Sequence, residues 1–182
     1  DPNDSFFGTD SYTYTVEDTG GNESGEAEVT VDVNGSPSAS DDNDDVDEGG
    51  SVTTDLLAND SDPQGQSLSI TNVTSPSNGT VTNNGDGTVT YAHDGSETSS
   101  DQFTYTVSDG SGGTDQATVS ITVNAVNDDP NASDDSDAVD EGSSTTIDVV
   151  ANDSDPEGQS LSVTNVTSPS NGTVTNNGDG TV

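Results

Sequence analysis

An all-β fold, a tandem array of antiparallel β-sandwiches with Greek-key connections, is what this chain of 182 residues predicts. Three observations carry the prediction. Apolar residues alternate with polar ones at period two, turns rich in Gly and Asn interrupt them at short intervals, and the sequence repeats itself. Residues 47–89 and 140–182 agree at 36 of 43 positions at a constant offset of 93. No window carries the spacing of an amphipathic helix.

The complete repeat predicts strands near 51–57, 67–74, 79–83, 87–92, 102–108 and 114–124, with one more that is short or poorly marked. Leu68 and Ile70 open the second of these, and Val89 and Tyr91 mark the fourth. In the fifth, Phe103, Tyr105 and Val107 point one way while Thr104, Thr106 and Ser108 point the other. Val119, Ile121 and Val123 alternate in the same manner in the last. "SPSNGT" at 75–80, "NNGDGT" at 83–88 and "SDGSGG" at 108–113 are hairpin-type turns between them. Roughly seven short strands in such a unit describe an immunoglobulin-like sandwich.

The repeat also sets the domain boundaries. "TDSYTYTVEDTGG" at 9–21 matches "SDQFTYTVSDGSGG" at 100–113, and "EAEVTVDVN" at 26–34 matches "QATVSITVN" at 116–124. Residues 1–34 are therefore the C-terminal half of a repeat, 35–126 a complete one, and 127–182 the N-terminal half of the next. The opening "DPNDSFFGTD" reads as the start of an excised or mature piece. Two arrangements fit: a window onto a longer tandem chain, which the visible repetition favours, or split domains completed by neighbouring copies through strand addition.

Charge restricts the function. There is no Lys or Arg against 36 Asp and Glu, giving a formal net charge of −36, and His93 alone can become a side-chain cation. Nucleic acid and anionic membrane are poor partners for such a surface. No apolar run approaches the ~20 residues of a membrane-spanning helix. Without Cys there is neither a disulfide nor a thiolate metal site, and without Cys, Lys or Arg most nucleophilic and phosphoryl chemistry is excluded. Low hydrophobicity with high charge is the compositional mark of disorder, but the strict alternation overrides it. Tyr91, Phe103 and Tyr105 supply most of the bulk of the complete unit, so a second source of stability is expected.

The acidic residues are clustered. Residues 41–48, "DDNDDVDE", hold six carboxylates in eight positions, and 126–141, "VNDDPNASDDSDAVDE", form a second run. Both read as linkers between the last strand of one repeat and the first of the next. "NDSDP" follows each of them. Asp60 and Asp62, the turn residue Asp109 and the linker pair Asp41 and Asp42 are predicted to converge at one junction. Asp153 and Asp155 are predicted to meet Asn127, Asp128 and Asp129 at the next, with Asp134 and Asp135 of the same run as further candidates. Asp before Pro or Gly also forms turns, and acidic runs are often solvated. The repeated convergence of three acidic segments tips the balance to cation binding. Oxygen donors without His or Cys suit calcium, and magnesium less, because magnesium retains more of its water.

"VDEGGSVTTDLLANDSDPQGQSLSI", "GTVTYAHDGSETSSDQFTYTVSDGSGGTDQATVSITVNAVNDDP" and their copies resemble the cadherin-like tandem repeats, of the VCBS and RTX-adhesin type, of large bacterial surface adhesins. The resemblance covers essentially the whole chain and implies calcium held between successive domains. By that resemblance Asp60 with Asp62, and Asp153 with Asp155, match the Asp-x-Asp pair. Asp18 and Asp109 match the Asp before the last strand, Asn127 and Asp128 the linker, and Glu48 and Glu141 the Glu near the first strand. The earlier linker, "VNGSP", departs from "VNDDP", and the Asp-Arg-Glu motif and the adhesive Trp of cadherins are missing.

Other motifs carry less. "DDNDDVDEGG" lacks the EF-hand positions, "NNGDGTVT" is a hairpin turn, and His93 beside Asp94 reads as a surface-loop residue without triad geometry. Asn-x-Ser/Thr triplets such as those at Asn22, Asn72 and Asn165 admit glycans. The sequence thus predicts a non-enzymatic, calcium-stiffened extender of an exported, extracellular adhesin or surface fibre. Its partners would be calcium ions and adjacent repeats of the same or a neighbouring chain. A self-assembling filament or surface-layer subunit, a homopolymer of split domains, is the alternative. A carbohydrate-binding module is disfavoured because the few aromatics are spent on cores.

Overall fold

The computed structural model describes residues 6–182, so residues 1–5 of the predicted 1–34 half repeat lie outside the described residues. The chain divides into two compact units, Asp1–Ala125 and Val126–Val182.

Among the described residues the first unit holds β1 (Gly8–Tyr14), β2 (Ala27–Val33), β3 (Asp42–Asp47), β4 (Ser51–Asp55) and β5 (Ser69–Val73). It continues with β6 (Gly79–Asn83), β7 (Thr88–His93), β8 (Ser100–Ser108) and β9 (Thr114–Asn124). Strands β1 and β2 form a separate antiparallel hairpin. The complete repeat is a sandwich of two sheets, ordered β3-β9-β8-β5 and β4-β7-β6. Between them lie Val46, Leu56, Val89, Tyr91, Phe103, Tyr105, Val107, Ala117, Val119, Ile121 and Val123, all buried. The period-two pattern is the reason: every second residue of β7, β8 and β9 faces inward. Tyr91 stacks on Phe103 with centroids 6.3 Å apart and planes 9° from parallel.

Two features correct the sequence reading. First, "DNDDVD" is not linker but strand β3, and it pairs with β9 in parallel, so the four-stranded sheet is mixed rather than wholly antiparallel. Asp45 and Asp47 are exposed on the outer side, whereas Asp42 and Asp44 are half-buried on the same side of the strand as Val46, which fills the core. Second, His93 is buried rather than a surface-loop residue. Its Nδ1 accepts from Gly49 N and Gly95 N, both at 3.2 Å, and its Nε2 lies 2.9 Å from Thr98 Oγ1. Two backbone donors on Nδ1 place the ring proton on Nε2, which makes His93 a structural staple of this end of β7.

The second unit forms no ladder of its own. Only single bridges remain, Asn131 with Ser154 and Asp148 with Thr181. The cause is topological. In the complete repeat β3 pairs only with β9 and β5 only with β8, and Val126–Val182 contains no counterpart of β8 or β9. The bridge at Asp148 and Thr181 is the counterpart of the Asp55–Thr88 pair in the β4–β7 ladder.

Candidate functional site

The motif "SDPxGQ" is a compact device. Asp62 Oδ1 accepts from Gln64 N at 2.8 Å and Gln66 N at 3.0 Å, while Gly65 N donates to Asp62 O at 3.0 Å. Pro63 suits the first central position of such a turn, and Gly65 takes φ +70°, a conformation that disfavours any side chain. The Gln66 side chain is thereby aimed at Asn34, whose Oδ1 accepts from Gln66 Nε2 at 3.0 Å. Asn34 Nδ2 in turn donates to Asp109 Oδ2 at 2.6 Å. Asp109, buried in the β8–β9 turn, also accepts from Ser111 N at 2.7 Å and Gly113 N at 3.0 Å. These bonds, the Asn34 amide first among them, hold the Asp109 carboxyl below its usual range.

Two acceptors in this network are left over. Asp62 Oδ2 and Gln66 Oε1 are both sealed from solvent without a hydrogen-bond donor. A buried carboxylate oxygen without a donor is costly. Asn34, Gln64 and Gln66 also border an open cavity of about 380 Å³.

The second unit repeats the arrangement with its own residues. Asp155 Oδ1 accepts from Gln159 N at 2.8 Å, Gly158 takes φ +73°, and Gln159 Nε2 donates to Asn127 Oδ1. Asp128 N donates to Glu157 Oε1 at 2.6 Å, and Glu157 Oε2 is buried without a donor. Asn34 and Asn127 therefore play one role, although "VNGSP" lacks the Asp that follows in "VNDDP".

Of the predicted residues Asp41 and Asp60 fall into a different group, together with Asp115, which the sequence reading did not single out. Asp41 Oδ1 accepts from Thr118 N, Asp60 Oδ1 from Ser40 N and Asp115 Oδ2 from Ala39 N, each at 2.8 Å. These three carboxylates fasten the segment leading into β3. The hydroxyl of fully buried Tyr105 lies 3.0 Å from Ser40 O, 3.2 Å from Leu56 O and 3.2 Å from each oxygen of Asp60. Burial, and then the Asp42 and Asp60 charges, push the Tyr105 hydroxyl above its ordinary pKa. Burial raises Asp42 and Asp60 as well, reinforced by the charge of Asp60 on Asp42 and of Asp115 on Asp60. The five residues predicted to converge thus divide between two hydrogen-bonded groups, Asp62 with Asp109 and Asp60 with Asp41 and Asp42.

In the second unit Ser133 N donates to Asp153 Oδ1 at 2.8 Å and Asn152 Nδ2 to Asp134 O at 3.1 Å, copying the Ser40–Asp60 and Asn59–Asp41 contacts. Asp129, Asp135 and Glu141 are exposed. Glu48 is half-buried, its N–H donating to Asn124 O at 2.9 Å. Asp18 closes its own turn: its carboxylate accepts from Gly20 N, Asn22 N and Asn22 Nδ2. Here Asn22 takes the place that Asn34 holds on Asp109.

Sequence reading missed Asn34, Gln66 and Gln159. The signal lies in the sequence, since Gln follows Gly in both copies of "NDSDPxGQ" and its amide carbonyl is a neutral oxygen donor.

Comparison with known proteins follows the same repeat. The family described as bacterial Ig domain matches residues 34–122 and again 127–182. None of the curated proteins compared with the chain matches it. Among solved structures, a nucleoside hydrolase-related hypothetical protein from Saccharophagus degradans, associated with carbohydrate metabolism, is similar at 18% identity and TM-score 0.39. That similarity covers 51% of this chain and 26% of that one. Endo-fucoidan hydrolase MfFcnA4 of glycoside hydrolase family 107 is similar at 23% identity and TM-score 0.38, over 66% of this chain and 19% of its own. Endo-fucoidan hydrolase MfFcnA9 follows at 19% identity and TM-score 0.35, over 65% and 22%.

Proposed function

This chain belongs to the bacterial Ig domain family, and from that premise we propose that it is a calcium-stiffened, non-enzymatic extender segment of an exported adhesin or surface fibre. Its repeats are of the cadherin-like kind, its place is outside the cell, and its partners are calcium ions and adjacent repeats. The observation that supports this reading is the pair of donorless buried oxygens, Asp62 Oδ2 and Gln66 Oε1, in a network with Asn34 and Asp109. An all-oxygen set of two carboxylates and two amide carbonyls fits a hard divalent cation. In the second unit Asp155, Gln159, Asn127 and Glu157 offer a set of the same chemistry.

Bound calcium would supply two positive charges and draw several oxygens to one centre. The protein's own residues do the rest. The Asp62 turn aims Gln66, Asn34 ties the end of the β1–β2 hairpin to the β8–β9 turn, and Asp109 braces that turn through two N–H bonds. Neutralising charge matters in a chain of net charge −36, where folding concentrates repulsion.

Thermal melting in calcium and in chelator, at matched ionic strength, tests the reading. Calcium is expected to raise the Tm, and X-ray scattering to report a narrower spread of sizes. The double variant Asp62→Asn with Asp155→Asn is expected to lose most of both responses. Superimposed melting curves for the parent chain would remove the metal from the account.

A further inference from the structure

The two copies of "SDPxGQ" differ at a single residue, Gln64 in the complete repeat and Glu157 in the second unit. The fold gives that residue the same place in both. Gln64 lies against the linker: its Nε2 is 3.5 Å from Val33 O, and a Cβ on Gly35 would come 3.1 Å from that nitrogen and 3.3 Å from Gln64 Oε1. Glu157 reaches the residue equivalent to Gly35, its Oε1 accepting from Asp128 N at 2.6 Å. Asn34 and Asn127, which precede Gly35 and Asp128, each accept from the Gln that closes the motif. The variable residue therefore stands beside the linker residue that follows each of these Asn–Gln pairs.

What differs is charge. Gln64 is neutral, and "NGS" at 34–36 holds no carboxylate. In the second unit "NDD" at 127–129 holds two, and Glu157 is a third. One oxygen of Glu157 is taken by Asp128 N. The other, Oε2, is sealed from solvent without a donor, the condition of Asp62 Oδ2 in the complete repeat. A buried carboxylate oxygen in that state is costly, and a hard divalent cation relieves the cost. The affinity of an all-oxygen site for calcium is set in part by how many of its ligands are charged.

We propose that the residue between Pro and Gly in "SDPxGQ" grades the calcium sites of the array. The inference rests on the calcium reading above and goes beyond it by assigning affinity to one position. Glutamate there adds a carboxylate oxygen to the donor set and lowers the calcium concentration at which the site fills. Glutamine adds no charge, so the site formed by Asp62, Gln66, Asn34 and Asp109 fills later than it would with glutamate. An array that mixes the two residues takes up calcium over a wider range of concentration than one built from identical motifs.

A calcium titration of the isotope-labelled 182-residue chain, starting from chelator, reads each site against itself. The side-chain amides of Asn34 and Gln66 report the first site, and those of Asn127 and Gln159 the second. Gln64→Glu should lower the half-saturation point at Asn34 and Gln66 by about tenfold, the lower end of the range for a group at or next to a metal ligand, and leave the second site unmoved. Glu157→Gln should raise the point at Asn127 and Gln159 by a similar factor and leave the first unmoved. Gln102→Glu adds the same charge at an exposed position near the far end of β8 from Asp109, and should move neither. Melting gives a second readout. Gln64→Glu should lower the Tm in chelator and enlarge the gain on adding calcium, whereas a purely structural defect would lower the Tm equally in both. Saturable binding whose half-saturation points stay put in both variants overturns the proposal and leaves the calcium reading standing. A shift that Gln102→Glu reproduces also overturns it, since bulk charge would then suffice. A parent chain without saturable shifts removes the calcium reading and this inference with it.

Discussion

The hydroxyl of Tyr105 stands 3.2 Å from both carboxylate oxygens of Asp60, inside the sandwich, with Ser40 O and Leu56 O also within reach. A hydroxyl has one proton to give, so this tyrosine ties the β4 exit to the segment before β3 through a single shared donor. Tyr105→Phe leaves the Asp60 carboxylate partly buried with fewer donors. A loss of about 1–3 kcal/mol is expected, measurable by urea unfolding at neutral pH.

Stability should peak in mild acid. Asp42 and Asp60 titrate above the ordinary 3.8 when folded, chiefly through burial. Their ionisation therefore costs stability, and that cost disappears as pH falls through their folded values toward 3.8. Asp101 behaves in the opposite sense. Burial works against its charge, but N–H bonds from Asn78, Gln102 and Ser77 and the Tyr91 hydroxyl hold it below 3.8. Asp109 lies below as well. What they contribute is present above 3.8 and is lost as pH drops through their lowered folded values. A Tm profile should rise from pH 7 toward the upper edge of the carboxylate range and then fall. Asp60→Asn, which keeps an acceptor for Ser40 N, should flatten the rise and leave the acid limb in place.

A glycine pair contrasts the complete repeat with the second unit. A Cβ on Gly79 would run into Ala92 O and come within 3.0 Å of the Tyr91 ring. At the counterpart Gly172 the nearest atom is Pro169 Cγ at 4.0 Å. Gly79→Ala should destabilise the complete repeat by about 1–3 kcal/mol, the usual cost of overpacking. Gly172→Ala should change the melting of the chain little. Differential scanning calorimetry of the two variants checks the contrast.

Gly113 protects Asp109. A side chain there would collide with Asp109 Oδ2 and meet Pro37 Cδ and Ser36 Cα at 3.0 Å. Gly113→Ala should displace the carboxylate, break the Asn34 bond and weaken any calcium response while the sandwich still forms. The shift in Tm on adding calcium, compared with that of the parent, reads the effect.

Local pattern made most of the sandwich legible. Alternation in "FTYTV" and "ATVSITV" placed β8 and β9, and Gly-rich turns bounded β6 and β7, because these signals lie within a few residues of each other. Strand β3 was hidden because "DNDDVD" offers a single apolar residue, and what makes it extended is β9, a parallel partner far along the chain. The same dependence explains why near-identical sequence forms strands in one repeat and no ladder in Val126–Val182. At the site, the Asp positions were visible in the repeat, but their division into two groups was not. Residues two apart in "DSD" serve different neighbours: Asp60 turns to Ser40 and Tyr105, Asp62 to Gln64 and Gln66.

The most direct measurement is a calcium titration of the isotope-labelled chain followed through its side-chain and backbone amide resonances. Saturable shifts centred on the amides of Gln66, Asn34, Gln159 and Asn127, reduced by Asp62→Asn and Asp155→Asn, are the expected result. Weak shifts spread over every acidic segment, growing without saturation and reproduced by sodium at equal ionic strength, would contradict it.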